Sequence, residues 1–178
     1  GSGGPTVVLQ SSNSSATAIS LSGTTTAATG SYAGYQGALT VVETGTGGIS
    51  ISGTNTSGNA WGSIASSLYL YASSGPISIS GSGGTGLNIN GVWGSNGSTV
   101  ASSSSSVTLT SNVLVLGATT INAAGDLTIQ SSGANFTSTV DLSNVTFSNT
   151  LNSLTLGKTG NTGSVILARN INTTGNQT

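Results

Sequence analysis

The stretch Ile49-Ser50-Ile51-Ser52-Gly53 recurs along the chain and decides the predicted fold. The same order of apolar residue, serine, apolar residue, serine and glycine occupies residues 19–23 and 77–81, and a looser copy occupies residues 107–111. Apolar residues alternate with small hydroxyl residues, which is typical of a β-strand with one buried face. The copies begin 30, 28 and 30 residues apart, so we expect each to lie on its own coil of a stacked solenoid.

A second strand candidate returns at the same interval. Residues 39–42 (LTVV) and 68–71 (LYLY) begin 29 residues apart. Further strand candidates occupy residues 7–9, 87–90, 92–93, 113–116, 127–129, 140–142, 154–156 and 165–167. From residue 107 the steps between equivalent strands shorten to 20 and 27 residues. Coils of unequal length can share one core, so the shorter steps fit the same architecture.

These patterns predict an all-β chain folded as a parallel β-helix of about seven coils, at roughly 25 residues a coil. No window has the apolar spacing of an amphipathic helix. Inward Val, Ile and Leu would form continuous ladders, while outward Ser and Thr would keep the surface polar. The alternative fold is a β-sandwich of many short strands.

The predicted domain organisation is a single rod. Residues 1–5 (GSGGP) have the composition of a linker or a cloning remnant, and residues 6–178 form the solenoid segment. Within it we expect coils of 28–30 residues over 19–106 and coils of about 20–27 residues over 107–178. Because no capping helix is evident at either end, the segment is expected to come from a longer rod.

Composition limits the classes of partner. Charged residues make up only 3% of the chain, and the formal net charge is -1. Nucleic-acid binding depends on many cationic contacts to phosphate, so no nucleic acid is expected. No apolar run approaches the roughly 20 residues of a membrane span, so no membrane insertion is expected. The abundance of Ser, Thr and Gly, with almost no Lys or Glu, favours a secreted or cell-surface location.

Two segments in the C-terminal part resemble a known family. Residues 124–129 (AGDLTI) are similar to the turn and strand of filamentous haemagglutinin-type repeats, which belong to large exoproteins exported by two-partner secretion. Residues 154–163 (LTLGKTGNTG), with the strand at 165–167, are similar to other segments of these proteins. The resemblance implies a right-handed parallel β-helix, export across the bacterial outer membrane, and a role in adhesion or biofilm. The Asn-Pro-Asn type motif of the family's secretion domain is missing, so the chain would correspond to the repeat shaft.

Catalysis lacks the residues that it normally needs. The only acids are Glu43, Asp126 and Asp141, and we expect Asp126 at a turn and Asp141 on the outer face, both solvated. Without histidine or cysteine, the many serines have no partner to activate them. The glycine–aspartate spacing of calcium-binding β-rolls is also absent. The sequence therefore predicts no enzyme, no metal site and no cofactor.

Aromatic side chains are the candidates for ligand binding. They are Tyr32, Tyr35, Trp61, Tyr69, Tyr71 and Trp93. Two tyrosines and both tryptophans lie 12 to 16 residues after the start of their repeats, so successive coils would align them in a stripe. Such a stripe could stack on sugar faces, or its rings could brace a corner by stacking on one another. Tyr69 and Tyr71 are expected on the outward face, opposite Leu68 and Leu70, as an exposed patch or under a loop or neighbouring rod.

The leading functional hypothesis is a structural shaft segment of a bacterial adhesin-like fibre that mediates attachment or the formation of a matrix or filament. One alternative is a carbohydrate-binding β-helix that uses the aromatic stripe. The other is a self-polymerising subunit of an extracellular filament. The candidate partners are accordingly a glycan, a host or matrix surface, and further copies of the chain joined end to end or laterally.

Overall fold

The computed structural model describes residues 7–26, 33–56, 63–94, 104–147, 150–167, 171–175 and 178. This part of the chain contains β-strands and no helix, and hence no helix long and apolar enough to cross a membrane. The strands are β1 (Val7–Ser11), β2 (Ile19–Thr25), β3 (Tyr35–Glu43), β4 (Ile49–Asn55), β5 (Ile64–Ala72), β6 (Ile77–Gly83), β7 (Leu87–Gly94), β8 (Val107–Thr110), β9 (Leu114–Asn122), β10 (Leu127–Gln130), β11 (Val140–Asp141), β12 (Val145–Phe147), β13 (Leu154–Leu156) and β14 (Val165–Ile166).

The strands form two six-stranded parallel sheets and one strand pair. Sheet 1 has the order β1-β3-β5-β7-β9-β12, and sheet 2 has the order β2-β4-β6-β8-β10-β13. Strands β11 and β14 make a separate parallel pair. Because consecutive strands from β1 to β10 alternate between the two sheets, the chain visits each sheet once per coil. The fold is therefore a β-solenoid, which confirms the predicted architecture and excludes the antiparallel β-sandwich.

The solenoid has about five turns rather than the predicted seven. The higher number assumed roughly 25 residues a coil, whereas the first steps between paired strands of sheet 2 are 30, 28 and 30 residues. Longer coils give fewer turns for the same chain length.

One column of paired residues runs through the whole of sheet 2. Its successive steps are 30, 28, 30, 20 and 27 residues, as the repeat spacing predicted. The extra residues of the longer coils therefore lie in the connections between the strands. The members of this column, which we call the anchor column, are Ile19, Ile49, Ile77, Val107, Leu127 and Leu154.

The core is built from every second residue of the strands. In β4, Ile49 and Ile51 are buried, while Ser50 and Ser52 lie half-buried on the outside. Buried apolar side chains from both sheets belong to one cluster. Each fully buried Ile or Leu contributes roughly 1.5–3 kcal/mol, so hydrophobic burial is the main force that holds the coils together.

The glycine that ends the anchor motif is required by a close backbone approach. Gly53 is in register with Gly23 on one side and Gly81 on the other. A Cβ at Gly53 would overlap the backbone carbonyl of Ser63, and a Cβ at Gly23 would overlap that of Gly34. A backbone carbonyl cannot rotate away as a side chain can. The repeated glycine therefore lets the next strand of the coil start close to the end of the anchor strand.

Most of the predicted strands are present in the structure, which differs from the prediction at three places. The runs at 87–90 and 92–93 belong to one strand, β7, and the run at 113–116 is the beginning of the longer β9. Strand β12 was not predicted, because its three residues offer too short an alternation to stand out. The predicted linker, residues 1–5, lies outside the described residues.

Candidate functional site

The structure places Trp93 in the core. This side chain is 0% exposed, and it pairs in register with Leu70 and Ile121. The prediction that Trp93 belongs to a ligand-binding stripe is therefore wrong, since its ring occupies an inward position of β7 and no ligand can reach it. Two other members of the predicted stripe, Tyr32 and Trp61, lie outside the described residues.

Tyr35 does not share a column with Trp93. It is half-buried, packs against the core, and pairs in register with Ile64, which in turn pairs with Leu87. Burial raises the pKa of the Tyr35 hydroxyl. The described members of the predicted stripe are therefore separated by their register.

Tyr69 and Tyr71 lie on the outer face of sheet 1, as predicted. Leu68 and Leu70 are fully buried, whereas Tyr69 is 38% exposed and Tyr71 is half-buried. Burial and, to a smaller extent, the neighbouring Tyr69 raise the pKa of the Tyr71 hydroxyl. Tyr69 and Tyr71 are the aromatic side chains that β5 presents on the outer face of sheet 1.

Tyr69 lines a groove on the outside of sheet 1, which we call the sheet 1 groove. Its volume is about 360 Å³, and its lining residues come from β5, β7, β9, β12 and the residue before β12. None of the described residues that line the groove is charged. The residues on which the argument depends are Tyr69, Asn90, Thr120, Asn144 and Thr146.

A β-bulge lies at the centre of the groove. Residues 117 and 118 of β9 stand opposite the single residue Asn90 of β7, and regular pairing resumes at Gly91 and Thr119. A bulge increases the local twist and changes the direction of nearby side chains, which is why bulges are common beside binding sites. The irregularity therefore coincides with the concave part of an otherwise regular sheet.

Gly91 makes this local geometry attainable. Its φ of 134° is a conformation that residues with a side chain rarely adopt. In addition, a Cβ at Gly91 would overlap the backbone carbonyl of Leu68 on the preceding strand. The absence of a side chain thus keeps β7 in contact with β5 at the bulge.

Thr119 lines the groove, but its side chain occupies the inward column that contains Leu68 and Val145. It is 3% exposed, and its Oγ1 has no hydrogen-bond partner in the described part of the chain. Its neighbours in the column are Gly91, which has no side chain, and Val145, which has no polar side-chain atom. A buried hydroxyl without a partner costs roughly 1–3 kcal/mol. Because this hydroxyl faces the core, it is not a group that the groove offers to a ligand.

The two aspartates make hydrogen bonds within the protein. Asp126 accepts hydrogen bonds from Ser153 Oγ at 2.7 Å and from Asn152 Nδ2 at 2.6 Å, which lower the pKa of its carboxyl. Asp141 is exposed and accepts a hydrogen bond from the backbone N–H of Ser143 at 2.8 Å, which lowers its pKa. The expectation that Asp141 points outward is confirmed.

Glu43 is a buried carboxylate that the sequence interpretation did not single out. It is 1% exposed; its Oε1 accepts a hydrogen bond from the backbone N–H of Gly45 at 2.7 Å, and its Oε2 has no partner among the described residues. The signal was present, because Leu39, Val41 and Glu43 occupy alternate positions of β3 and share the inward face. Within the described ranges, no group of three or more Cys, His, Asp or Glu side chains could hold a metal ion.

Comparison of the chain with protein-family models, curated proteins and solved structures found no match. The resemblance to filamentous haemagglutinin-type repeats therefore stays a prediction.

Proposed function

We propose that the chain is a non-catalytic, structural shaft segment of a secreted or cell-surface, adhesin-like fibre. In this role it holds binding elements away from the cell, or joins a matrix, through its stiffness. The observation that carries the proposal is the anchor column, which continues through all six strands of sheet 2 although the coils differ in length.

Backbone hydrogen bonds support stiffness along the rod. At the corner that precedes sheet 2, the N–H groups of the first five anchor residues each donate to a carbonyl of the next coil, at 2.8 to 3.1 Å. All of these bonds run in the same direction, so the corner is held as regularly as the sheets. The bonds are Ile19 to Gly48, Ile49 to Pro76, Ile77 to Ser106, Val107 to Asp126 and Leu127 to Ser153.

The outer face of sheet 2 supports an inert role. One outward column consists only of small hydroxyl residues in register across six strands. Hydroxyl groups keep a surface wetted without the charges that bind polyanions. The members of this column are Ser20, Ser50, Ser78, Thr108, Thr128 and Thr155.

The proposal is tested by displaying the chain on bacterial cells between a surface anchor and an unrelated binding head. The measurement is the number of target-coated beads that stay attached under flow, normalised to the amount of displayed head. We expect the native segment to hold more beads than the Ile51→Asp variant, because a buried charge disrupts the core that stiffens the rod.

Ser50→Ala is the matched control, since Ser50 is the outward neighbour of Ile51 in the same strand and its loss leaves the core intact. If the Ile51→Asp segment or a Gly/Ser linker of equal length holds as many beads as the native segment, stiffness is not the function. If cells without the binding head attach to one another through the native segment, the self-polymerising alternative is favoured instead.

A further inference from the structure

Tyr69 offers an aromatic platform at one end of the sheet 1 groove. Its ring is 38% exposed, and its register column continues through Val92 to Thr120 and Thr146. From β5 to β12 this column crosses three spacings between strands, about 14 Å in total. An aromatic ring can pack against the apolar face of a flat ligand while its hydroxyl stays in water. The column therefore combines one stacking surface with two hydroxyl groups in a line.

Amide groups flank this line. Asn90 lies at the bulge, and Asn144 directly precedes β12 on the exposed rim. The backbone carbonyl of Asn144 accepts a hydrogen bond from the N–H of Thr119 at 3.2 Å, which ties the rim to the middle of the groove. Each side-chain amide can donate and accept hydrogen bonds, and so can each threonine hydroxyl. This set of groups suits a ligand whose own groups are both donors and acceptors.

The size and charge of the groove also limit its ligand. The groove volume of about 360 Å³ lies at the lower end of the range of small-molecule sites. Because no lining residue in the described part of the chain is charged, these residues give an anionic ligand no cationic partner.

From these observations we propose that the sheet 1 groove binds a neutral saccharide, with one sugar ring stacked on Tyr69 and its hydroxyl groups bonded to Asn90, Thr120 and Asn144. This site adds a binding activity to the proposed shaft function. The shaft function does not depend on this site. The site also differs from the predicted aromatic stripe, because it uses Tyr69 and not Trp93.

The proposal is tested by saturation-transfer NMR on the full chain with neutral disaccharides (cellobiose, maltose, lactose and N,N′-diacetylchitobiose) and with sialyllactose as the acidic probe. We expect saturation transfer to at least one neutral disaccharide and a weaker signal from sialyllactose than from lactose. Tyr69→Ala should weaken binding of the neutral probe at least tenfold, because the stacking surface is lost. Tyr69→Phe should retain binding, because the ring remains.

Two further variants make the result decisive. Tyr71→Ala is the matched control, since Tyr71 lies on the same face of the same strand but does not line the groove, and it should bind like the native chain. Thr120→Val should weaken binding several-fold while the chain unfolds at nearly the same temperature, because Val keeps the shape of Thr and only a hydroxyl on the outer face is removed. Failure of every neutral probe to bind, equal binding by Tyr69→Ala, or preferred binding of sialyllactose would overturn the proposal.

Discussion

The hydroxyl of Ser153 donates a hydrogen bond of 2.7 Å to the carboxylate of Asp126, and these two residues lie on neighbouring coils. Asn152 Nδ2 donates to the same oxygen at 2.6 Å. On its other side, the backbone carbonyl of Asp126 accepts the N–H of Val107 at 2.8 Å. Asp126 therefore joins three successive coils at the corner that leads into sheet 2.

This arrangement predicts an acid-sensitive stability. The hydrogen bonds from Ser153 and then Asn152 lower the pKa of Asp126 from its ordinary value of 3.8. A lowered pKa in the folded state gives stabilisation that is complete above the unfolded value and is lost as the pH falls through the folded value. We expect the urea midpoint of the native chain to be constant at neutral pH and to fall below about pH 4.

Asp126→Asn should show a smaller fall, measured by urea unfolding at a series of pH values. Asp141 also has a lowered pKa, because the backbone N–H of Ser143 bonds to its carboxylate, so some dependence should remain. The double variant that combines Asp126→Asn with Asp141→Asn should show a still smaller fall of the urea midpoint at low pH. An unchanged acid dependence in Asp126→Asn would contradict the role assigned to this carboxylate.

The alternation of buried and outward residues in β4 predicts a sharp difference between neighbouring positions. Ile51 is fully buried and pairs with Leu21 and Ile79, so Ile51→Ala leaves a cavity and should cost about 2–5 kcal/mol in the free energy of unfolding. Ser50→Ala on the outer face should change it by about 0.5 kcal/mol or less. Equal losses in urea unfolding would mean that the two positions do not face opposite sides.

Two glycines with similar φ angles should respond differently to replacement by alanine. Gly37 has a φ of 130° and Gly91 a φ of 134°, so each substitution strains the backbone by about 1–3 kcal/mol. A Cβ at Gly37 would meet nothing within 4 Å, whereas a Cβ at Gly91 would overlap the carbonyl of Leu68. We expect Gly91→Ala to lose roughly 1–3 kcal/mol more than Gly37→Ala in thermal or urea unfolding. Equal losses would show that β7 and β5 are less closely packed at the bulge.

Glu43 predicts a variant that is more stable than the native chain. Its Oε2 is buried without a partner in the described structure, while its Oε1 accepts the N–H of Gly45. Glu43→Gln keeps an oxygen for that bond and replaces a carboxylate by a neutral amide, which is less costly to bury. We expect the free energy of unfolding at neutral pH to rise by about 1 kcal/mol. A fall would indicate that the carboxylate has a stabilising partner.

The repeat pattern was sufficient to predict the solenoid and the register of sheet 2. Ile, Val or Leu recurs at every position of the anchor column, and only one register brings these residues together inside. The position of Trp93 was predictable from the same rule, because Leu87, Ile89, Gly91 and Trp93 occupy alternate positions of β7. The prediction failed because it compared distances from the repeat start instead of alternation within the strand.

The sheet 1 groove could not be predicted from the sequence. It depends on a bulge at which residues 117 and 118 of the next coil stand opposite the single residue Asn90. The residues between Gly91 and Thr119 do not reveal which pairing the strands adopt, because the connections between coils differ in length. Only the three-dimensional register brings Tyr69, Asn90 and Asn144 to one surface.

The most direct test of the stiff, in-register column is the distance between spin labels on its outer face. The chain has no cysteine, so the pairs Ser20→Cys with Thr128→Cys and Ser20→Cys with Thr155→Cys can be labelled without background. These pairs are four and five strand spacings apart, about 19 and 24 Å between backbones. Double electron–electron resonance should give two narrow distributions whose means differ by about 5 Å, one strand spacing. Broad distributions, or means that do not differ by one spacing, would contradict the account.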